Sequence, residues 1–186
     1  MTCFSAESIV CRSALSPSDW QDLLLVVKKA GATKLDIEKF DENTPDSVKR
    51  LCNMSDKVTV RVGLRKKGWC YVQMKEEKII MSSVHLYPGD VSSLAQLLSG
   101  SQSWQVKGCL ALTNLSCDDW GELAQLVQSL DSVGVVWIEG VSPSQLDAGL
   151  VRQLWGKTEG LWGVNGESYE KSDESNLDTF LNKYCQ

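Results

Sequence analysis

In CLALTNLSCDDWGELAQLV, residues 109–127, two periodicities meet. Leu110 and Leu112 alternate as in a strand, and past Asp118, Asp119 and Trp120 the apolar residues Leu123, Leu126 and Val127 fall at helical spacing. The stretch predicts one strand turned tightly into one helix. Whether it is a single βα corner or one copy of a repeated unit decides the fold, and LSPSDWQDLLLVV (15–27) answers that question. Leu15, Ser16, Asp19, Trp20, Leu23 and Val27 recur in the same order and spacing as Leu115, Ser116, Asp119, Trp120, Leu123 and Val127. In LYPGDVSSLAQLL a third copy stands one unit earlier, with Asp90, Leu94, Ala95, Gln96 and Leu97 spaced as Asp119, Leu123, Ala124, Gln125 and Leu126 are.

Each copy leads into a short apolar strand with the spacing i, i+2, i+5: Leu35, Ile37, Phe40; Ile79, Met81, Val84; Leu110, Leu112, Leu115; Val136, Ile138, Val141. The last three begin at positions 79, 110 and 136, and Trp162 with Val164 continues the series at the step that separates 110 from 136, its third place taken by Glu167. Such a period holds a strand, a turn, a helix of about three turns and a return loop. Ser16 or Ser18, Asp46, Asp90 and Asp118 are placed to cap helix N-termini, where unpaired N–H groups and the positive end of the helix dipole favour an oxygen or a carboxylate. Trp20 and Trp120 stand three places ahead of Leu23 and Leu123 and so share a core-facing stripe with them.

The repeat breaks in two places. Between Lys57 and Met81 the pattern is strand, turn at Lys66-Lys67-Gly68, strand, turn at Lys75-Glu76-Glu77, strand, which predicts a β-hairpin insertion over about 57–81. After Val164 a polar turn leads to Leu177, Phe180, Leu181 and Tyr184 at i, i+3, i+4 and i+7, an amphipathic helix suited to cover the end of the array over about 172–186.

Composition narrows the classes of function. The chain has 186 residues, 42% hydrophobic and 23% charged, as expected for a single globular domain over 1–186. Its 24 acidic and 19 basic residues give a charge of -5 with no basic run, so nucleic acid is not an expected partner. No apolar run reaches the roughly 20 residues of a membrane span, and MTCFSAESIVCRS lacks the pattern of a signal peptide, so no membrane insertion and a cytoplasmic location are expected. The 7 cysteines form no C-x-x-C pair and read as free thiols, while one histidine, His85, gives mixed Cys/His zinc sites little to work with. His85 itself reads as a surface or partly buried structural histidine. GVNGES (163–168) lacks the P-loop lysine, and neither G-x-S-x-G nor H-E-x-x-H occurs. No catalytic residue, metal or cofactor is expected.

The L-x-L-x-x-L strands, the helix-opening D-D-W-x-x-L-x-x-L and the regular recurrence of both resemble the leucine-rich repeat family over about residues 9–165. The long helical units are most similar to the ribonuclease-inhibitor type found in the C-terminal sensor regions of NOD-like receptors. The resemblance implies an α/β solenoid of about five or six strand-helix units with the hairpin insertion and the C-terminal capping helix. It departs from the family where Asn or Cys is usual, with Phe40, Val84, Leu115 and Val141 in that place. In a solenoid the residues between the buried strand positions face the concave side, namely Asp36, Glu38, Ile80, Ser82, Ala111, Thr113, Trp137, Glu139, Gly163 and Asn165. These would touch a protein partner, with Trp137 as the strongest candidate anchor. The implied function is non-catalytic recognition, in innate immune sensing or signalling. A compact α/β sandwich, and an α/β enzyme or enzyme-regulating domain, are the alternatives; a larger multidomain chain of which this is one part is also compatible with the pattern.

Overall fold

A computed structural model describes residues 6–186. Among them one sheet runs in chain order: β1 (Ser8–Cys11), β2 (Lys34–Ile37), β3 (Thr59–Gly63), β4 (Trp69–Lys75), β5 (Lys78–Leu86), β6 (Trp104–Thr113), β7 (Leu130–Glu139), β8 (Leu161–Val164) and β9 (Glu167–Glu170). The helices are α1 (Pro17–Ala30), α2 (Thr44–Met54), α3 (Val91–Leu98), α4 (Cys117–Val127), α5 (Ala148–Lys157) and α6 (Ser175–Tyr184). The fold is therefore α/β with an open sheet. The sheet is mixed: β4 runs antiparallel to β3 and β5, β9 antiparallel to β8, and the remaining neighbours are parallel. The expected strand, turn, strand, turn, strand segment is present as β3, β4 and β5, and the expected last helix is α6. β1 and β9 are additional edge strands.

Helices α1, α4 and α5 begin where a cap side-chain oxygen meets their free N–H groups, whereas Asp90, at the cap position of α3, makes no such bond to its helix. Ser16 and Ser116 each accept from the N–H three places on, and Asp19 and Asp119 reach back to the cap N–H, so α1 and α4 open with the same reciprocal box. The cap of α4 is thus Ser116 and not Asp118, which is exposed in the first turn. Asp46 also lies inside its helix, past the cap Asn43. Gly31, at φ 66, ends α1 in the left-handed conformation that glycine adopts at little cost.

Consecutive helices touch along the row, α1 on α2 through α5 on α6, so all lie on one face of the sheet. That face carries an inward-facing residue from every strand in one registered row: Cys11, Ile37, Val62, Cys70, Val84, Leu110, Val136, Trp162 and Tyr169. All but the half-buried Cys11 are withdrawn from water, each large apolar member contributing about 1.5–3 kcal/mol. Trp20 and Trp120 are both interior, 3% and 9% exposed, against the same core as Leu23 and Leu123. At the C-terminal end, Trp162 meets Phe180 edge-on at 5.1 Å, and Phe180 meets Tyr169 at 5.5 Å and Tyr184 at 4.8 Å, so α6 closes the core with aromatic rings.

Val84, Leu110, Val136 and Trp162 are aligned across the sheet and equally spaced along the chain. The sequence spacing sets Ile79 and Met81 opposite Leu110 and Leu112, but the strands place Val84 and Leu86 there, with Ile79 beside Trp104 and Met81 beside Val106. A bulge in β5, where Ser82 and Ser83 together face Tyr71 of β4, accounts for the slip, because an extra residue reverses which parity points inward. Gly108, Gly134 and Gly160 share the same step. A β-carbon at Gly108 would fall 2.4 Å from the Ser82 carbonyl oxygen, at Gly134 2.6 Å from that of Lys107, and at Gly160 2.9 Å from that of Gly134. Only glycine lets the neighbouring backbones approach that closely at these three positions.

Candidate functional site

The face opposite the helices is uncovered, and strand alternation decides what it presents. Because Val62, Cys70, Val84, Leu110, Val136 and Trp162 turn inward, the next residues turn outward and form a second registered row: Gly63, Trp69, His85, Ala111, Trp137, Gly163 and Ser168. Beside it lie Val10, Asp36, Arg61 and Tyr71 on the first four strands, and Ser83, Cys109 and Val135 beyond the bulge.

One end of the face is a self-satisfied cluster. The Trp69 and His85 rings stack at 4.3 Å with 17° between planes. The Arg61 guanidinium lies 5.5 Å over Trp69 and pairs with Asp36 at 3.2 Å. His85 Nε2 and Ser83 Oγ are 2.9 Å apart in a hydrogen bond. Burial against these neighbours lowers the His85 pKa, favouring the neutral ring, and burial pushes the Cys109 thiol up to about 11.

The other end is less committed. Trp137 is 40% exposed, and its six-membered ring lies over Gly163. Glu139 is exposed next to it, and Thr113 pairs with Glu139 across β6 and β7. Asn165, at φ 48, donates its amide to the Val141 carbonyl and accepts from Gly140 N–H, so its side chain holds the turn after β7.

Of the residues singled out from sequence, Trp137, Glu139, Thr113, Ala111 and Gly163 share one continuous patch, with Asn165 at its rim. Asp36 is drawn into the Arg61 pair, and Glu38 is exposed one step past β2. Ile80 lies on the open face and Ser82 is exposed at the bulge, but neither occupies the row of Ala111 and Trp137; His85 does. Arg61, Trp69 and Tyr71 also belong to the surface, although the repeat pattern does not single them out. Alternation in VTVRVG and WCYVQMK turns them outward once Val60, Val62, Cys70 and Val72 turn in. The hairpin is therefore part of the face.

A second group of polar residues is structural. The buried Asp90 carboxylate accepts from the backbone N–H groups of Lys66, Lys67, Gly68 and Tyr87, at 2.8, 3.3, 2.7 and 3.1 Å. Asp119 Oδ1 accepts from Gly89 N–H at 3.1 Å. Each acid thus ties the start of its helix to an earlier turn. Among the described residues no group of three or more His, Cys, Asp and Glu side chains is placed to hold a metal ion, and no helix is long and apolar enough to cross a membrane.

No family model matches the chain, and no curated protein or solved structure is significantly similar to it.

Proposed function

We propose that the chain is a leucine-rich-repeat-like solenoid that recognises a protein partner on its open sheet face. One side of the sheet is sealed by helices while the other stays open and carries the exposed Trp137. That combination supports recognition, because an exposed tryptophan on a preformed rigid surface is the kind of anchor from which interfaces draw most of their binding energy. The strand order, the equal step between aligned strands and the glycine column support the repeat reading. A role in innate immune sensing, in the cytoplasm and without cofactor, follows from the resemblance to NOD-like receptor sensor regions.

The test is site-specific cross-linking in cells. A photoreactive amino acid at Ala111, on the open face, is expected to trap a protein partner, and the same group at Gln125, exposed on α4, is not. Adducts from Gln125 and none from Ala111 would place recognition on the helices and overturn the proposal.

A further inference from the structure

We infer that the patch around Trp137 receives a basic side chain, arginine or lysine, presented by the protein partner; this rests on the recognition reading above. Elsewhere the chain places its own cations over its aromatic rings: Arg61 over Trp69, Arg65 over Phe40, Lys171 over Trp155 and Lys183 over Tyr184, all at 5.2 to 5.5 Å. Among the described residues Trp137 has no such cation, although its ring is exposed.

The charge around it is complementary to a cation. Cys109, Ala111 and Thr113 on β6, and Gly163 and Asn165 on or just past β8, surround Trp137 with uncharged residues, and Glu139 brings one carboxylate two places along its own strand. Glu139 is exposed and has no ion-pair partner among the described residues. A tryptophan ring attracts a cation through its negative face, and a carboxylate within reach of the same cation adds direct attraction. The ring is also pre-oriented. The indole rests on Gly163, and strand alternation places Glu139 on the same side of the sheet, so little ordering of the ring is left for the bound state. An acidic or purely apolar occupant would leave the Glu139 charge repelled or desolvated without a partner. A basic one satisfies both.

The experiment selects binders to the full chain from a displayed library of random-sequence peptides. The selected peptides are resynthesised with each arginine replaced by citrulline, a neutral group of similar shape, and each lysine by norleucine, which keeps the alkyl stem without the charge. Enriched peptides are expected to share a basic residue whose neutral replacement weakens binding about tenfold, and Trp137→Ala and Glu139→Gln are expected to weaken the parent peptide to a similar degree. Peptides that depend on Trp137 but bind equally with neutral replacements overturn this inference and leave open-face recognition standing. Peptides that bind Trp137→Ala at full strength, or a library that yields none, overturn both.

Discussion

The six-membered ring of Trp137 lies so close over Gly163 that a β-carbon there would fall 1.8 Å from Cζ3 and 2.0 Å from Cε3. Glycine at 163 is thus the seat of the indole. Gly163→Ala is expected to lift the ring off the sheet at little cost to stability, because the ring that must move lies on the uncovered side. The indole N–H resonance of Trp137, assigned by its loss in Trp137→Phe, reads the displacement. An unshifted resonance would mean that the ring has another support.

Trp137→Ala is expected to leave folding nearly intact, because the ring lies on the uncovered side and is 40% exposed. Trp120→Ala removes a ring from the core and should cost about 3 to 5 kcal/mol. Denaturant unfolding of the two variants separates surface from interior. Similar losses in both would contradict the assignment of faces.

Asp90 accepts four backbone N–H groups in a buried position, so Asp90→Ala orphans them together. The expected loss is about 3 kcal/mol or more, since each unpaired buried donor carries its own desolvation cost. Hydrogen exchange should accelerate first at Lys66 to Gly68. Protection unchanged there would show that water replaces the carboxylate at no cost.

Much of this arrangement is legible in the sequence. The repeated L-S-x-x-D-W stretches predict both capped helices, and alternation at Leu110, Leu112, Val136 and Ile138 predicts which strand residues face them. The strand β5 is harder to read, because a bulge changes parity within it: Ile79 and Met81 point inward below it, Val84 and Leu86 above it. Hydrophobic spacing accepts either pair. The edge strands are faint for a different reason, since β9 buries Tyr169 alone and β1 has no fully buried residue. The Trp69–His85 stack depends on two strands of the hairpin meeting in register, and no local pattern states that pairing.

His85 predicts a pH dependence. Burial lowers its folded-state pKa below the unfolded value of about 6.5, so the unfolded chain binds the proton more readily. The His85 contribution to stability is therefore greatest above that value and falls with decreasing pH until the folded pKa is passed. Urea midpoints measured across this window should decline more for the wild-type chain than for His85→Gln. Parallel declines would assign the loss to other groups.

Deleting residues 172–186 removes Phe180, Leu181 and Tyr184, all buried, and uncovers Trp162 and Tyr169. Aggregation or a lowered melting transition is expected, because the deletion leaves large apolar rings facing water. A monomer melting at the original temperature would reduce α6 to an appendage.

The column of Gly108, Gly134 and Gly160 gives the central part of the molecule a unit of length. From Ser83 onward in β5, and at Cys109 and beyond in β6 and Val136 and beyond in β7, a residue and its neighbour in the next strand are separated along the chain by that one step, as at Val84, Leu110, Val136 and Trp162. Excision of the segment from Gly108 through Val133 would join Lys107 to Gly134 and leave a single hybrid strand between β5 and β8, with glycine still meeting backbone and apolar residues still meeting helices. Removal of one residue fewer would turn each downstream side chain to the wrong side. Chain length in this region is thereby quantised: the surface can be widened or narrowed by whole strands, carrying Trp137 nearer to or farther from His85 without redesign of either.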